Sequence, residues 1–486
     1  MILAGIVPRS LGANHYGDYS FLTNIFFQVI NFLDMRASTC LYIKLSQNQR
    51  DLQIIKWYSL FNILIIVIIF LGTVCITSNQ VLLNNLLPSQ QVRFVYLAVI
   101  FTITIFIQQQ LGKIMDSFGL TLFSESVNFF LRIFNVLLII TFFTFSKLDL
   151  SWYFYINIIT SILFVVIILF YLNPISFWPI TRLRIIIEYT KVFYHYCGPL
   201  VVFMVIGFFS EYIDRWILQK YGGSLQQGFY AFAFNLSNMS LLAVSSMFLL
   251  FTRELSVSVG KNDIDGVAKL FNTYVPILYV IVSFFSCFLF FQADNVIYIF
   301  AGKDYIGASL SLRILSMYPL VCTFSMMSGS VIYATDRTYV FRNLSFVFGP
   351  LGVLISVLLM SPIAGINLGA AGLGIKNVSV EFFGVVIILF LNSRYLPISF
   401  RKYFLHLICT PIICLACAGA SSYFLTLGIF KHLGVLFCIV MAGTIYLFMF
   451  ITLVYVYPNI VFQERYEIMD VVNAVRGKFE SRGGGE

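Results

Sequence analysis

Apolar runs of about twenty residues recur from one end of this chain to the other, and that feature leaves almost no room for a water-soluble fold. A helix needs roughly 20 mostly apolar residues to cross the hydrocarbon of a bilayer. Window reading places candidate spans at 19–43, 54–76, 92–110, 118–145, 151–172, 195–217, 228–252, 271–292, 305–333, 342–362, 370–393, 403–426 and 433–457. Composition agrees: 60% of the 486 residues are hydrophobic and 10% are charged, whereas soluble domains run near a quarter charged. The expected fold class is an all-α integral membrane protein with about 13–14 transmembrane helices. The longest polar stretch, the tail 458–486, is too short for a core. Met1 to Val7 is apolar but stops at Pro8-Arg9, a fraction of a span. It reads as the end of a first helix whose front is missing, the alternative being a true stub.

Loop charges give the orientation. One set of alternate loops, with the tail, carries nineteen Lys and Arg, among them Lys44, Arg50, Lys113, Arg182, Arg253 and Arg401. The other set carries six: Arg9, Arg93, Lys147, Lys220, Lys303 and Lys431. Basic loops stay in the cytoplasm, so the C-terminus is expected there and Tyr19 begins outside. The nine cysteines fall in or beside apolar runs. Cys414 and Cys417 form a CxxC within a span, with no His or acidic cluster beside it, and read as small buried side chains. No metal site or cofactor is expected. There is no Walker A motif and no HExxH, so ATP hydrolysis and zinc-dependent hydrolysis find no motif here.

The two halves echo one another. Arg9 is followed by Gly17-Asp18-Tyr19-Ser20-Phe21, and Arg215 by Gly228-Phe229-Tyr230-Ala231-Phe232. Each stretch lies at an outer loop after the first helix of a six-helix block, which places Arg9 and Arg215 at matching positions. An even number of helices per block means that both halves enter the membrane in the same direction, a parallel repeat. The expected organisation is a lobe over 1–172, a second over 190–393, an extra helical pair over 400–457 and the tail 458–486.

Pro8-Arg-Ser-Leu-Gly-Ala-Asn-His-Tyr-Gly-Asp-Tyr19 resembles the R-x-L-G-x-x-x-Y-G-x-Y signature of polysaccharide exporters in the multidrug/oligosaccharidyl-lipid/polysaccharide superfamily. Ile213-Asp214-Arg215 with Gly228 to Phe232, Ile299 to Tyr305, and Gly365 to Gly372 are similar to later motifs of that family, in the same order. The ordered set looks like Wzx-type flippases of O-antigen and capsule repeat units. Asp34-Met35-Arg36 departs from it, standing where an Asp-x-Gly is expected. The resemblance implies a substrate, a short glycan on an undecaprenyl diphosphate carrier, turned from the inner to the outer leaflet of a bacterial cytoplasmic membrane by alternating access. Membrane lipids are expected partners, the polysaccharide polymerase machinery is a candidate one, and nucleic acid is not expected. No span carries a prominent GxxxG, so the default is a monomer.

Ionisable groups inside spans cost roughly 2.5–3.5 kcal/mol each on insertion scales and usually face a cavity or a partner. Glu125, Asn128, Arg132 and Asn135 fall on one face of the span 118–145. They read as a lumen stripe whose guanidinium can grip a diphosphate, or as a polar seam between helices. Asn24, Gln28, Asn31, Asp34 and Ser38 form a second stripe, suited to sugar hydroxyls, with Asp34 a candidate for a coupling ion. Arg36 points elsewhere, into a lumen or out to the interface. Arg313, Lys376 and Glu381 lie inside their spans, the two cations as candidate substrate contacts and Glu381 with Asp214 as further coupling-ion candidates. Glu211 and Arg215 are spaced for a local ion pair, and with Arg9 they are candidates for an outer gate.

A drug/cation antiporter of the same superfamily is the nearest rival, but it calls for an acidic, largely apolar pocket, which Arg132 and Lys376 argue against. A membrane O-antigen polymerase would need a long outer loop, and every outer loop here is short. The peptidoglycan-precursor flippase remains an alternative, and no residue pattern names the glycan.

Overall fold

The computed structural model describes residues 2–48, 51–145, 147–172, 183–198, 201–335, 337, 339–362, 366–426 and 434–456. The tail 458–486 and the loop cations Arg50, Arg182 and Lys431 lie outside the described residues. Eighteen α-helices follow in order: α1 Ile2–Asp34, α2 Ala37–Gln47, α3 Leu52–Ser78, α4 Gln80–Leu86, α5 Val92–Ser117, α6 Thr121–Thr144, α7 Leu150–Tyr171, α8 Leu183–Cys197, α9 Val201–Asn238, α10 Leu242–Gly260, α11 Ile264–Phe291, α12 Ala293–Phe300, α13 Ser309–Leu315, α14 Tyr318–Ala334, α15 Tyr339–Met360, α16 Gly369–Tyr395, α17 Phe400–Thr426 and α18 Val435–Val456. Strands are absent among the described residues. The fold is that of an all-α membrane protein, and among the described residues eleven helical segments are long and apolar enough to cross a bilayer. One of them, Met204–Gly260, is 57 residues long and carries all of the expected span 228–252 and the part of 195–217 from Met204 onward.

Side-chain caps mark several helix starts. Asn79 Oδ1 accepts from the backbone N–H of Val81 at 2.9 Å and opens α4. Asp149 Oδ1 accepts from Trp152 N at 2.8 Å and opens α7. Each satisfies a donor that the first helical turn otherwise leaves unpaired.

Two features depart from the window reading. The expected span 19–43 is broken between α1 and α2, where Met35 (φ 47°) and Arg36 (φ 62°) both occupy the left-handed region. Neither is glycine, so the break carries strain of about 1–2 kcal/mol per residue. Asp34 compensates by accepting from Ser38 N, in the first turn of α2, at 3.3 Å. In place of the expected loop before Tyr19, a short helical piece from Ile2 through Pro8 meets the helix that carries Tyr19 at a non-helical kink at Gly12 (φ 71°, ψ 167°), and α9 is divided in the same way at Gly223 (φ 66°, ψ −173°).

The two kinks and the contacts around them share one sequence offset. The offset from Gly12 to Gly223, from Ala13 to Ser224 and from Gly17 to Gly228 is 211 each time (223 less 12, 228 less 17). The contacts are reciprocal. A Cβ on Gly17 would overlap the carbonyl oxygen of Ser224, and one on Gly228 would overlap that of Ala13. The offset pairs Arg9 with Lys220, not with Arg215 as the motif spacing suggested, because the glycine kinks rather than the arginines hold matching places.

The chain forms two compact units, residues 1–231 with 342–373, and residues 232–341 with 374–486. In the first, Tyr19 packs edge-on to Tyr153 with centroids 4.9 Å apart and lies 5.3 Å from Phe154, joining α1 to α7. In the second, Phe271, Tyr279, Phe324 and Tyr403 are fully buried and tie α11, α14 and α17 together.

Candidate functional site

Two polar cavities open within the first unit, and Lys113 lines both. The smaller, of about 380 Å³, is lined by Gln28, Asn31, Asp34, Arg36, Ser38, Lys113 and Glu211. The larger, of about 640 Å³, collects Glu125, Asn128, Arg132 and Asn135 from α6 with Gln108, Gln109, Asp116, Asn157 and Thr160 from α5 and α7. The α6 stripe therefore lines the larger cavity, and the second stripe lines the smaller one with Arg36 but without Asn24.

Asp34 is the structural centre of the smaller cavity. It is 5% exposed and accepts from Tyr58 Oη at 2.7 Å and from Ser38 Oγ at 2.7 Å. Lys113 Nζ donates to the same Ser38 hydroxyl at 2.7 Å, so cation, hydroxyl and carboxylate form a relay across the helix break. Gln28 Nε2 donates to Asn24 Oδ1 at 2.7 Å. Its buried carbonyl oxygen has no partner among the described residues, and an orphaned acceptor of this kind is costly unless something binds it.

In the larger cavity the amides hold one another. Asn135 Nδ2 donates to Thr160 Oγ1 at 3.0 Å and to Asn157 Oδ1 at 3.3 Å, and Gln108 Nε2 donates to Asn128 Oδ1 at 3.4 Å. Arg132 and Glu125 are exposed to the cavity. Arg132 makes no hydrogen bond or ion pair among the described residues, which leaves its fork of donors available. The cations Arg36, Lys113 and Arg132 are matched by the carboxylates of Asp34, Asp116, Glu125 and Glu211.

Other expected residues sit elsewhere. Asp214 is buried and accepts from Ser356 Oγ, which fastens α9 to α15. Arg215 Nη1 donates to Gln227 Oε1 at 3.2 Å, and its guanidinium lies 4.5 Å from the Tyr230 ring centroid. Arg9 is exposed. Arg313 donates to Asp294 Oδ2 at 2.6 Å in a half-exposed ion pair. Lys376 and Glu381 are half-buried on α16.

Sequence reasoning missed Lys113 as a cavity residue, placing it in a loop because the span was ended at 110. It also passed over Gln108, Asn157 and Thr160. Asn157, Thr160 and Ser161 repeat the same helical spacing that revealed the α6 stripe. A further cluster missed lies at the glycine crossing. There Asp18 accepts from Ser224 Oγ and from Gln90 Nε2, the latter at 2.8 Å. Trp216 Nε1 donates to the carbonyl of Asn85 at 2.6 Å.

No family model matches the chain, and neither does any curated protein sequence. Solved structures do match. The lipid II flippase MurJ in an inward closed conformation superimposes with a TM-score of 0.68 at 14% identity, covering 93% of this chain and 95% of that one. An inward-facing multidrug resistance MATE family transporter of the MOP superfamily gives 0.64 at 13% identity, covering 81% and 93%. At such identities the likeness speaks for architecture only: the chain shares the all-α fold of these two structures.

Proposed function

We propose that the protein is a transporter that flips undecaprenyl-diphosphate-linked oligosaccharide repeat units across a bacterial cytoplasmic membrane by alternating access, with its basic loops and C-terminus in the cytoplasm. The observation that carries this reading is Arg132, an unbonded guanidinium in an amide-lined cavity of about 640 Å³. A guanidinium in that setting suits bidentate capture of a phosphate. The amides Asn128, Asn135 and Gln28 offer donors and acceptors to sugar hydroxyls. An organic-cation pocket would be lined differently, by apolar walls and carboxylates without free cations.

Asp34 is the favoured coupling group. Binding of a proton or metal cation near it would offset one of the cavity carboxylates and strengthen anion binding by Arg36 and Lys113, which links the ion to the substrate. Arg313 is already neutralised by Asp294, so in this reading the diphosphate is gripped by cations of the first unit. The test is saturable binding of a polyprenyl diphosphate carrying a short glycan to the purified full-length protein in nanodiscs. Binding should weaken on the order of tenfold in Arg132→Ala and in Lys113→Ala, the loss of one charge-assisted contact. Affinity in both variants equal to that of the unsubstituted protein would overturn the proposal.

A further inference from the structure

We infer that the isoprenoid chain of the substrate lies in an apolar groove on the other side of the α1–α2 break, between α3 and α8; this rests on the lipid-linked substrate proposed above. The groove, of about 710 Å³, is lined by Met35, Ala37, Trp57, Leu60, Leu64 and Phe193, and Asp34 lines it too. Asp34 therefore belongs to both the groove and the polar cavity.

The left-handed pair at Met35 and Arg36 sorts neighbouring side chains to opposite sides. Met35 and Ala37 line the groove, while Arg36 and Ser38 line the polar cavity. A polar chamber with two cations and an apolar trough thus meet along a single turn of backbone, which is the outline of an amphiphile with an anionic head and a long tail. The diphosphate proposed above to meet Arg132 and Lys113 also reaches Arg36 on the polar side of the break, since Lys113 lines both polar cavities. The tail cannot follow the head without forfeiting the transfer free energy of every methylene, so it must leave sideways, and the groove opens beside the break.

The groove wall is built for a branched hydrocarbon. Trp57 stacks on Phe193 with ring centroids 4.1 Å apart, and Trp57 Nε1 donates to Thr190 Oγ1 at 3.2 Å, so its one polar atom is satisfied within the wall. Leu64 is 54% exposed and Ile63 48% exposed along α3, which leaves the trough open to a chain arriving from the bilayer.

The experiment uses a polyprenyl diphosphate with a diazirine in its isoprenoid tail, bound to the full-length protein in nanodiscs, with crosslinks mapped by mass spectrometry. Saturable crosslinks on α3 and α8 are expected. Unlabelled polyprenyl diphosphate should compete, and phosphatidylglycerol should not. Leu64→Trp, which fills the trough from an exposed position, should cut the crosslink on the order of tenfold, while Ile412→Trp, at an exposed position of α17, should leave it intact. Equal competition by phosphatidylglycerol would mean ordinary annular lipid and overturn the inference. Crosslinks on other helices, with binding still dependent on Arg132 and Lys113, would overturn the groove and leave the proposed function standing. Absence of any saturable binding would bring down both.

Discussion

The reciprocal glycine contacts between α1 and α9 make a quantitative prediction about coupling. Gly17 and Gly228 each face a backbone carbonyl of the other helix, where a Cβ would overlap the oxygen. An ordinary C···O contact is about 3.3–3.6 Å, so either alanine forces the helices apart by on the order of 1 Å. Overpacking on that scale costs about 1–3 kcal/mol and sometimes more. The same displacement serves both sites, so Gly17→Ala/Gly228→Ala should cost less than the two single changes together, by at least about 1 kcal/mol. Gly72 in α3 is the control: nothing lies within 4 Å of its Cβ position, and Gly72→Ala should stabilise its helix by roughly 0.5–1 kcal/mol. The assay is reversible unfolding of the purified protein in mixed detergent, run as a double-mutant cycle. Additive single changes, or a Gly17→Ala as mild as Gly72→Ala, would refute the crossing.

Three further outcomes follow from particular contacts. Tyr58→Phe removes one of the donors to buried Asp34 and should lower stability by about 1.5–3 kcal/mol, read in the same unfolding assay; an effect under about 0.5 kcal/mol would mean that Asp34 is neutral or otherwise satisfied. Asp34→Asn should keep the protein in the membrane while abolishing the dependence of transport on the coupling gradient, and retained dependence would move the ion to Glu125 or Glu381. Tyr189 Oη donates to Asp51 Oδ1 at 2.6 Å, and burial together with that carboxylate pushes the hydroxyl above its ordinary value of 10.0. A folded-state value above the unfolded one contributes stability that is complete below pH 10 and is lost as pH rises beyond it. Trp57 fluorescence should therefore report release of α8 in alkali, and Tyr189→Phe should remove that pH dependence.

Helix placement was legible because each span is an apolar run too long for anything else, and the α6 stripe was legible because four polar residues in such a run share a face. The break at Met35-Arg36 was hidden: no Gly or Pro marks it, and the conformation is held by Asp34, Ser38 and Tyr58, the last from a different helix. Lys113 was misplaced because Gln108-Gln109-Gln110 resembles the polar end of a span, whereas α5 continues to Ser117 and turns Gln108, Gln109 and the lysine toward a cavity. The pairing of Arg313 with Asp294, and the glycine crossing 211 residues apart (228 less 17), are tertiary facts that local periodicity does not encode.

The central claim is that a free cation in a polar cavity grips an anionic lipid carrier, and export in a flippase-null bacterium tests it most directly. Arg132→Ala and Arg132→Lys are compared at matched membrane levels, scoring glycan at the surface against glycan trapped inside. The account expects Arg132→Ala to leave the glycan inside and Arg132→Lys to restore part of the export. Normal export by Arg132→Ala would contradict it, making the α6 stripe a seam between helices and returning the antiporter reading to the front.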